Sequence, residues 1–171
     1  MRLSRENKNV YIRRLIFVCL LMLTAMLQNT DGLFPEIFGV RAMLLIPAVV
    51  CISMYERDIS GIFFGLFAGL LWDTVSAGPQ SFNAIMLTMI GFVSGVFIGT
   101  IMRNNIVTAL LLTAAAVFIY NTLYWLIAYV FNSYSGAWLE YFSFYLPACI
   151  YTIVLMPGFY YLVRLIRNKT R

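Results

Sequence analysis

The sequence contains few side chains that are suited to acid–base, nucleophilic or metal chemistry. It has 171 residues and no histidine, so the commonest general base and the commonest zinc ligand are missing. Cys19, Cys51 and Cys149 lie far apart in apolar runs, without the spacing of a metal or redox motif. No phosphate-binding loop, dinucleotide fingerprint, nucleophile elbow or acid pair is present. We therefore expect a protein that is not an enzyme and has no catalytic, cofactor-binding or metal-binding site.

Asp73 is the one acid that lies well inside an apolar run. If that run crosses a membrane, a carboxylate there is energetically costly and needs an explanation. Four roles are open: a ligand for a substrate or ion, a proton relay, a partner contact, or a structural link to a polar neighbour such as Asn83. A relay needs further ionisable groups, and the later runs supply none. The structural or partner role is favoured, and Asp73 and Asn83 form a candidate polar site at the outer end.

Glycines recur every four residues in two neighbouring apolar runs. Residues four apart lie nearly on one helix face, so each run carries a stripe without side chains. In lipid such stripes let helix backbones approach closely. They indicate either packing of the two helices or a surface shared with another protein, and both can hold on different edges. The six glycines are Gly61, Gly65, Gly69, Gly91, Gly95 and Gly99.

Composition identifies the environment in which these residues act. Hydrophobic residues make up 62% of the chain and charged residues 11%, against about 45–50% and about 25% in a soluble domain. A chain this short cannot hide so much apolar surface in one core. We expect an integral membrane protein, which excludes a soluble, disordered or disulfide-stapled secreted chain. The basic residues are then topology signals, and no nucleic acid partner is expected.

Six apolar runs approach the length of about 20 residues that crosses the hydrocarbon layer. The second run is the least certain, because its apolar part, residues 42–55, is short and contains Pro47. The connections between runs are short, so a single membrane domain covering residues 1–171 is expected. The approximate spans are residues 11–28, 37–55, 59–76, 82–102, 106–131 and 141–166.

The distribution of Lys and Arg predicts the orientation. With six spans, all twelve basic residues except Arg41 fall on the same side as both termini. Positive charge marks the cytoplasmic side, so both termini are predicted to be cytoplasmic. No small-x-small cleavage site follows the first run, so we expect that run to remain as a span rather than to be removed as a signal peptide.

Aromatic residues gather toward the outer end of the fifth run and across the next connection. An interfacial belt is the default interpretation, with a base-stacking or sugar-binding platform as the alternative. The residues are Tyr120, Tyr124, Trp125, Tyr129, Tyr134, Trp138, Tyr141, Phe142 and Tyr145.

The most specific motif crosses the third and fourth runs. It consists of FGLFAGLLWD at residues 64–73, SAGP at 76–79 and FNA at 82–84. This hairpin resembles the MreD family of rod shape-determining proteins, which shows G-x-x-x-G-L-L-x-D, a Ser/Gly/Pro turn, Asn-Ala and another glycine-spaced helix. The chain departs from the family at residues 80–82, where a Leu-Gly-Leu type of sequence is more usual.

The resemblance implies a non-enzymatic scaffold of the cell-elongation machinery in the bacterial inner membrane. The implied partner is an MreC-like bitopic membrane protein, and the wider machinery includes RodA with its transpeptidase and MreB filaments. Membrane lipid surrounds such a protein. The implied fold is a six-helix bundle similar to the S-components of energy-coupling-factor transporters.

That similarity supplies the main alternative function, the substrate-binding S-component of a vitamin or micronutrient transporter. Its outer pocket would have to be built from Asp73, Asn83, Gln80, Ser76 and loop residues, which is a small polar set. A membrane enzyme is the weakest alternative, because neither histidine nor an acid pair is available for acid–base chemistry.

Overall fold

A computed structural model describes residues 2–30, 32, 35, 40–56, 58–76, 81–100, 104–130 and 137–170. These residues are almost entirely helical and contain no β-strand. The prediction of an all-α fold is therefore confirmed. The turn predicted at Gly78 and Pro79, together with Gln80, lies outside the described residues.

Seven α-helices follow one another in the described part of the chain. α5 continues into a π-helical turn, Leu126–Val130, and a second π-helical turn, Tyr141–Tyr145, joins α6 to α7. The helices are α1 (Arg2–Asn29), α2 (Leu45–Glu56), α3 (Asp58–Asp73), α4 (Phe82–Thr100), α5 (Ile106–Trp125), α6 (Ala137–Glu140) and α7 (Leu146–Lys169).

Within the part of the chain that the structure describes, four segments are long and apolar enough to cross a membrane. They are Lys8–Asn29, Phe82–Thr100, Ile106–Ala128 and Tyr141–Lys169. α2 and α3 have only 12 and 16 residues. At 1.5 Å per residue they extend about 18 and about 24 Å, less than the roughly 30 Å of the hydrocarbon layer. Six crossings therefore stay a prediction.

The second helix begins later than the predicted span of residues 37–55 implies. Residues 40–44 are not helical, and α2 starts at Leu45. Pro47 accounts for this boundary, because proline is tolerated in the first helical turn, where its missing N–H would have no partner within the helix. The proline thus lies near the start of a short helix instead of interrupting a longer one.

Side chains from two other helices bind the backbone around this boundary. The Leu45 N–H donates to Oε1 of Gln28 in α1 at 3.0 Å. The Met43 N–H donates to Oγ1 of Thr152 in α7, also at 3.0 Å. Non-helical backbone at membrane depth is stable only when such groups find partners inside the protein. Gln28 and Thr152 supply such partners for two N–H groups at this boundary.

α2 occupies the centre of the bundle. All residues from Leu45 to Met54 are buried, and the helix contacts α1, α3, α4, α5 and α7. A helix that is apolar on every side is stable when protein surrounds it. α2 is therefore the core around which the longer helices pack.

The helix ends form two groups because successive long helices run in opposite directions. One end is here called the basic end. There, the side chain of Asn104, just before α5, donates to the Met54 carbonyl near the end of α2. The Tyr160 hydroxyl in α7 donates to the Asn104 carbonyl. The N-terminal part of α1 and the start of α3 lie at this end too. The other end, called the opposite end, holds the last turn of α3 and the first turn of α4.

A buried carboxylate joins three helices at the basic end. The Glu56 side chain is 2% exposed and accepts a hydrogen bond from Nε of Arg13. Nε of Arg14 lies 3.6 Å from the other Glu56 oxygen, and Nη2 of Arg14 donates to Ser60 Oγ at 3.2 Å. The two arginines of α1 are thereby tied to the end of α2 and the start of α3.

Candidate functional site

The glycine stripe of α3 packs against the backbone of α4, and the two predicted stripes meet at Gly61 and Gly91. At Gly61 a Cβ atom would lie 2.6 Å from the Gly91 carbonyl oxygen and 3.0 Å from Ser53 Oγ. At Gly65 and Gly69 it would meet backbone atoms of α4. The approaches to backbone atoms are shorter than Cβ atoms make in folded proteins, so the hairpin depends on glycine at these positions.

The stripes are thus largely occupied by contacts within the chain. Gly61, Gly65, Gly69 and Gly91 are buried, and so is Gly95. Gly99, near the end of α4, is exposed. Of the two interpretations open from the sequence, helix packing describes the four glycines Gly61, Gly65, Gly69 and Gly91, where an added Cβ atom would overlap other atoms of the chain.

Asp73 and Asn83 are brought together, and the carboxylate binds backbone. Asp73 Oδ1 accepts the Asn83 N–H at 3.2 Å, and Oδ2 accepts the Ala84 N–H at 2.9 Å. The first N–H groups of a helix have no partner in the helix itself, and its N-terminus carries partial positive charge. Asp73, the last residue of α3, therefore caps the N-terminus of α4.

Asn83 connects the hairpin to the fifth helix. It is 2% exposed, its Nδ2 donates to Ser76 Oγ at 2.9 Å, and its Oδ1 accepts from the hydroxyl of Tyr120. Sequence reasoning did not predict the link to Tyr120. Thr113, Ala116 and Tyr120 recur at helical spacing, and the structure shows that this face of α5 is buried.

Aromatic rings cover this polar network. The Trp72 and Tyr120 rings stack with centroids 5.2 Å apart, and Phe82 lies 5.5 Å from Tyr120. Tyr120 is only 3% exposed, whereas Trp138 is 69% exposed. The aromatic cluster predicted as one belt therefore divides into rings that pack inside the bundle and rings on its surface.

The arrangement favours support of the fold over ligand binding. Both Asp73 oxygens accept backbone hydrogen bonds, and the Asn83 side chain bonds to two hydroxyl groups. Within the described ranges no group of three or more Cys, Asp or Glu side chains is placed to hold a metal ion. The hydrogen bonds of Asp73 and Asn83 hold α3, α4 and α5 together at the opposite end.

Replacing Asp73 with asparagine is expected to destabilise the protein by about 1 kcal/mol. Asparagine has one acceptor oxygen, so it serves only one of the two N–H groups and turns its amide toward the other. Thermal unfolding in detergent measures the loss. The matched control is Thr74→Ala, because the exposed Thr74 hydroxyl donates only to the Leu71 carbonyl. Unchanged stability with lost cell-shape complementation would contradict the capping role and favour a partner contact.

The sequence of the chain matches one known protein family over nearly its whole length. The model of the family described as rod shape-determining protein MreD matches residues 8–170. The chain belongs to the MreD family. The resemblance predicted from the glycine hairpin is thereby confirmed. No curated protein and no solved structure matches the chain, so similarity to transporter S-components stays a prediction.

Membership of the MreD family gives the protein a role in determining rod shape. The match covers nearly the whole chain, so it includes both the glycine hairpin and the capping network. Together with the four apolar helices, it indicates an integral membrane protein. The family is associated with the rod-shape machinery.

Proposed function

We propose that this protein is a non-enzymatic scaffold that binds an MreC-type bitopic protein within the bilayer. Through that contact it helps to position or regulate the synthesis of lateral peptidoglycan in the bacterial inner membrane. RodA, its transpeptidase and MreB filaments are the further members of the proposed assembly. Membership of the MreD family supports the cellular role, and a groove between α4 and α5 supports the intramembrane contact.

The groove is the observation that carries the partner contact. α4 and α5 touch only sparsely, and a cavity of about 200 Å³ opens between them. Its buried lining includes Ile90, Ser94 and Ala116, and its exposed lining includes Val93 and Ile119. Apart from Ser94 the lining is apolar, which suits a transmembrane helix as the occupant.

Small residues in the lining suit this groove to a helix. In lipid, helices associate through close packing because hydrophobicity gives no net drive. Ser94, Ala115 and Ala116 leave room for the backbone of a partner helix. The glycine stripes offer less, because Gly61, Gly65, Gly69 and Gly91 already contact the chain itself. The proposed partner surface is thus the α4–α5 groove.

The proposed topology has six crossings with both termini in the cytoplasm. The short length of α2 is compatible with this, because the non-helical residues 40–44 continue the path toward the opposite end. Thr152 accepts the N–H of Met43 in this segment, and Gln28 accepts the N–H of Leu45, the first residue of α2. The arginines at the basic end favour the cytoplasmic assignment of that end.

Replacing Ala115 with tryptophan is expected to fill the groove and to weaken partner binding by at least about tenfold, because a helix that packs closely loses its site. The full chain is co-expressed with an MreC-type partner and the yield of the complex after detergent extraction is measured. Ala115 is exposed, so the variant should fold. Val154→Trp is the matched control, since Val154 is 68% exposed on α7, away from the groove.

The same experiment separates the proposal from its alternatives. Unchanged complex formation by a folded Ala115→Trp variant would exclude the groove as the contact. Equal losses in Ala115→Trp and Val154→Trp would indicate a general effect of bulk on the membrane surface. Co-purification of an ATPase pair and a tightly bound small molecule, instead of the bitopic protein, would contradict the scaffold itself.

The S-component alternative receives limited support from a second cavity. This cavity, about 320 Å³, lies at the opposite end between α1, residues 41–43 and α3, and Gln28, Arg41 and Trp72 contribute to its lining. Gln28 Oε1 already accepts the Leu45 N–H, and the Asp73–Asn83 network is bound within the chain. The scaffold is therefore the function that the geometry supports better.

A further inference from the structure

A polar cavity of about 300 Å³ opens at the basic end, where three helices come together. Tyr55 near the end of α2, Asn104 and Asn105 before α5, and Arg164 and Arg167 in α7 contribute to its lining. In contrast to the apolar α4–α5 groove, this cavity presents hydroxyl, amide and guanidinium groups. The lining is suited to a polar, negatively charged ligand.

Two arginines give the cavity its positive charge. Cζ of Arg167 lies 5.1 Å from the centre of the Tyr55 ring, a cation–π contact that holds the half-buried guanidinium beside the cavity. Arg164 is exposed three residues earlier on the same helix. Residues three apart are neighbours on a helix surface, so both guanidinium groups serve one site.

These positive charges have no carboxylate partner among the described side chains. Glu56 is the described acid at the basic end, and it pairs with Arg13 and Arg14. Asn105 also precedes the 20-residue helix α5 without making a side-chain cap hydrogen bond. The partial positive charge of that helix N-terminus therefore adds to the field of the two arginines.

A neighbouring surface extends the cavity along α7. A second, more open cavity of about 460 Å³ shares Arg164 and adds Tyr161, Leu165 and Lys169. Tyr161 is 58% exposed and Leu165 57% exposed. Guanidinium groups beside an exposed apolar helix face match a phosphate joined to acyl chains, since basic pockets between membrane helices bind anionic headgroups.

We propose that this cavity at the basic end binds the phosphate of an anionic phospholipid, with the guanidinium groups of Arg164 and Arg167 as its ligands. The acyl chains then lie against Tyr161 and Leu165 on the outer face of α7. Guanidinium groups bind phosphate oxygens through charge-assisted hydrogen bonds that are often bidentate. The site is separate from the α4–α5 groove and does not depend on the proposed partner contact.

The test uses the purified full chain alone in a zwitterionic detergent. Native mass spectrometry measures binding of phosphatidylglycerol and of phosphatidylcholine, and inorganic phosphate is added as a competitor. We expect phosphatidylglycerol to bind more tightly than phosphatidylcholine. Arg164→Gln should weaken phosphatidylglycerol binding by about tenfold, the effect of one lost charge-assisted hydrogen bond. Arg164→Lys should recover part of it, because lysine keeps the charge without the fork.

Lys8→Gln is the matched control, because it removes one positive charge from an exposed position of α1 that is not part of the cavity. Binding that is unchanged in Lys8→Gln and reduced in Arg164→Gln supports the site. Equal losses in both variants would mean unspecific attraction and would overturn it. If inorganic phosphate at equal concentration displaced the lipid, the ligand of the site would be free phosphate, and the proposal of a phospholipid would be wrong. Arg164 is exposed, so a folded variant is expected, and its thermal midpoint checks this.

Discussion

Replacing Gly65 with leucine is expected to prevent the chain from accumulating as folded protein. A Cβ atom at this position would meet the carbonyl group of Leu87 and lie 3.0 Å from Cα of Thr88. These are backbone atoms of α4, so no rotation of a side chain can relieve the overlap. The two helices would have to separate along their length.

The cost of that separation spreads beyond one contact. Gly61 and Gly69, one turn away on either side, also face backbone atoms of α4. Moving α4 outward would break those approaches and draw Asn83 and Ala84 away from the carboxylate of Asp73. Overpacking a tight site by a few carbons costs about 1–3 kcal/mol. We expect about that loss for Gly65→Ala and more for Gly65→Leu.

Gly158 supplies the matched control for this prediction. It also lies within a helix, but a Cβ atom there has nothing within 4 Å. Alanine is favoured over glycine in a helix interior by about 1 kcal/mol, so Gly158→Ala should be neutral or stabilising. Yield and thermal midpoint in fluorescence-detected gel filtration measure both variants. Equal behaviour of Gly65→Ala and Gly158→Ala would show that the close approach of α3 and α4 is not needed for stability.

The sequence was sufficient to predict this hairpin because its signal is periodic and local. Glycines at every fourth position define one face of a helix, and a short connection makes the two helices antiparallel neighbours. The same geometry predicts that Asp73 and Asn83 lie close together, as they do. The hydrogen bonds themselves were harder to predict. The Asp73 carboxylate accepts the backbone N–H groups of Asn83 and Ala84, whereas the sequence suggested a structural link to Asn83.

Contacts between distant helices were harder to predict. Transmembrane helices are apolar on nearly all sides, so hydrophobic periodicity does not separate the face toward protein from the face toward lipid. Tyr120 was therefore assigned to an interfacial belt, although it is buried and donates to Asn83. The central position of α2 could not be predicted for the same reason, since the apolar composition of α2 is equally typical of a lipid-facing span.

The pairing of charges at the basic end could not be predicted either. Glu56 reads as part of a short connection between two spans, while Arg13 and Arg14 interrupt the first apolar run. Only the packing of α1 against α2 and α3 brings these residues together across 43 positions of sequence. Pairing with the buried Glu56 carboxylate explains how the first run accommodates Arg13, whereas the Arg14 side chain is half exposed.

Replacing Glu56 with glutamine is expected to destabilise the protein by about 3 kcal/mol, because breaking a buried ion pair leaves a charge without compensation. The Arg13 side chain is only 17% exposed, whereas that of Arg14 is 49% exposed. Arg13 therefore bears most of the loss, and Arg14 can turn toward water. Thermal or denaturant unfolding of the full chain in detergent measures the change in the free energy of unfolding.

A double-mutant cycle separates the pair from other effects of the substitution. If the ion pair carries the stability, Arg13→Gln combined with Glu56→Gln should cost less than the sum of the two single variants, because the second removes a charge that the first left unpaired. Lys8→Gln, which removes an exposed charge from the same helix, should leave stability within about 0.5 kcal/mol. Strict additivity of Arg13→Gln and Glu56→Gln would contradict the pairing. High salt should change the wild-type stability little, because ions screen buried pairs less than exposed ones.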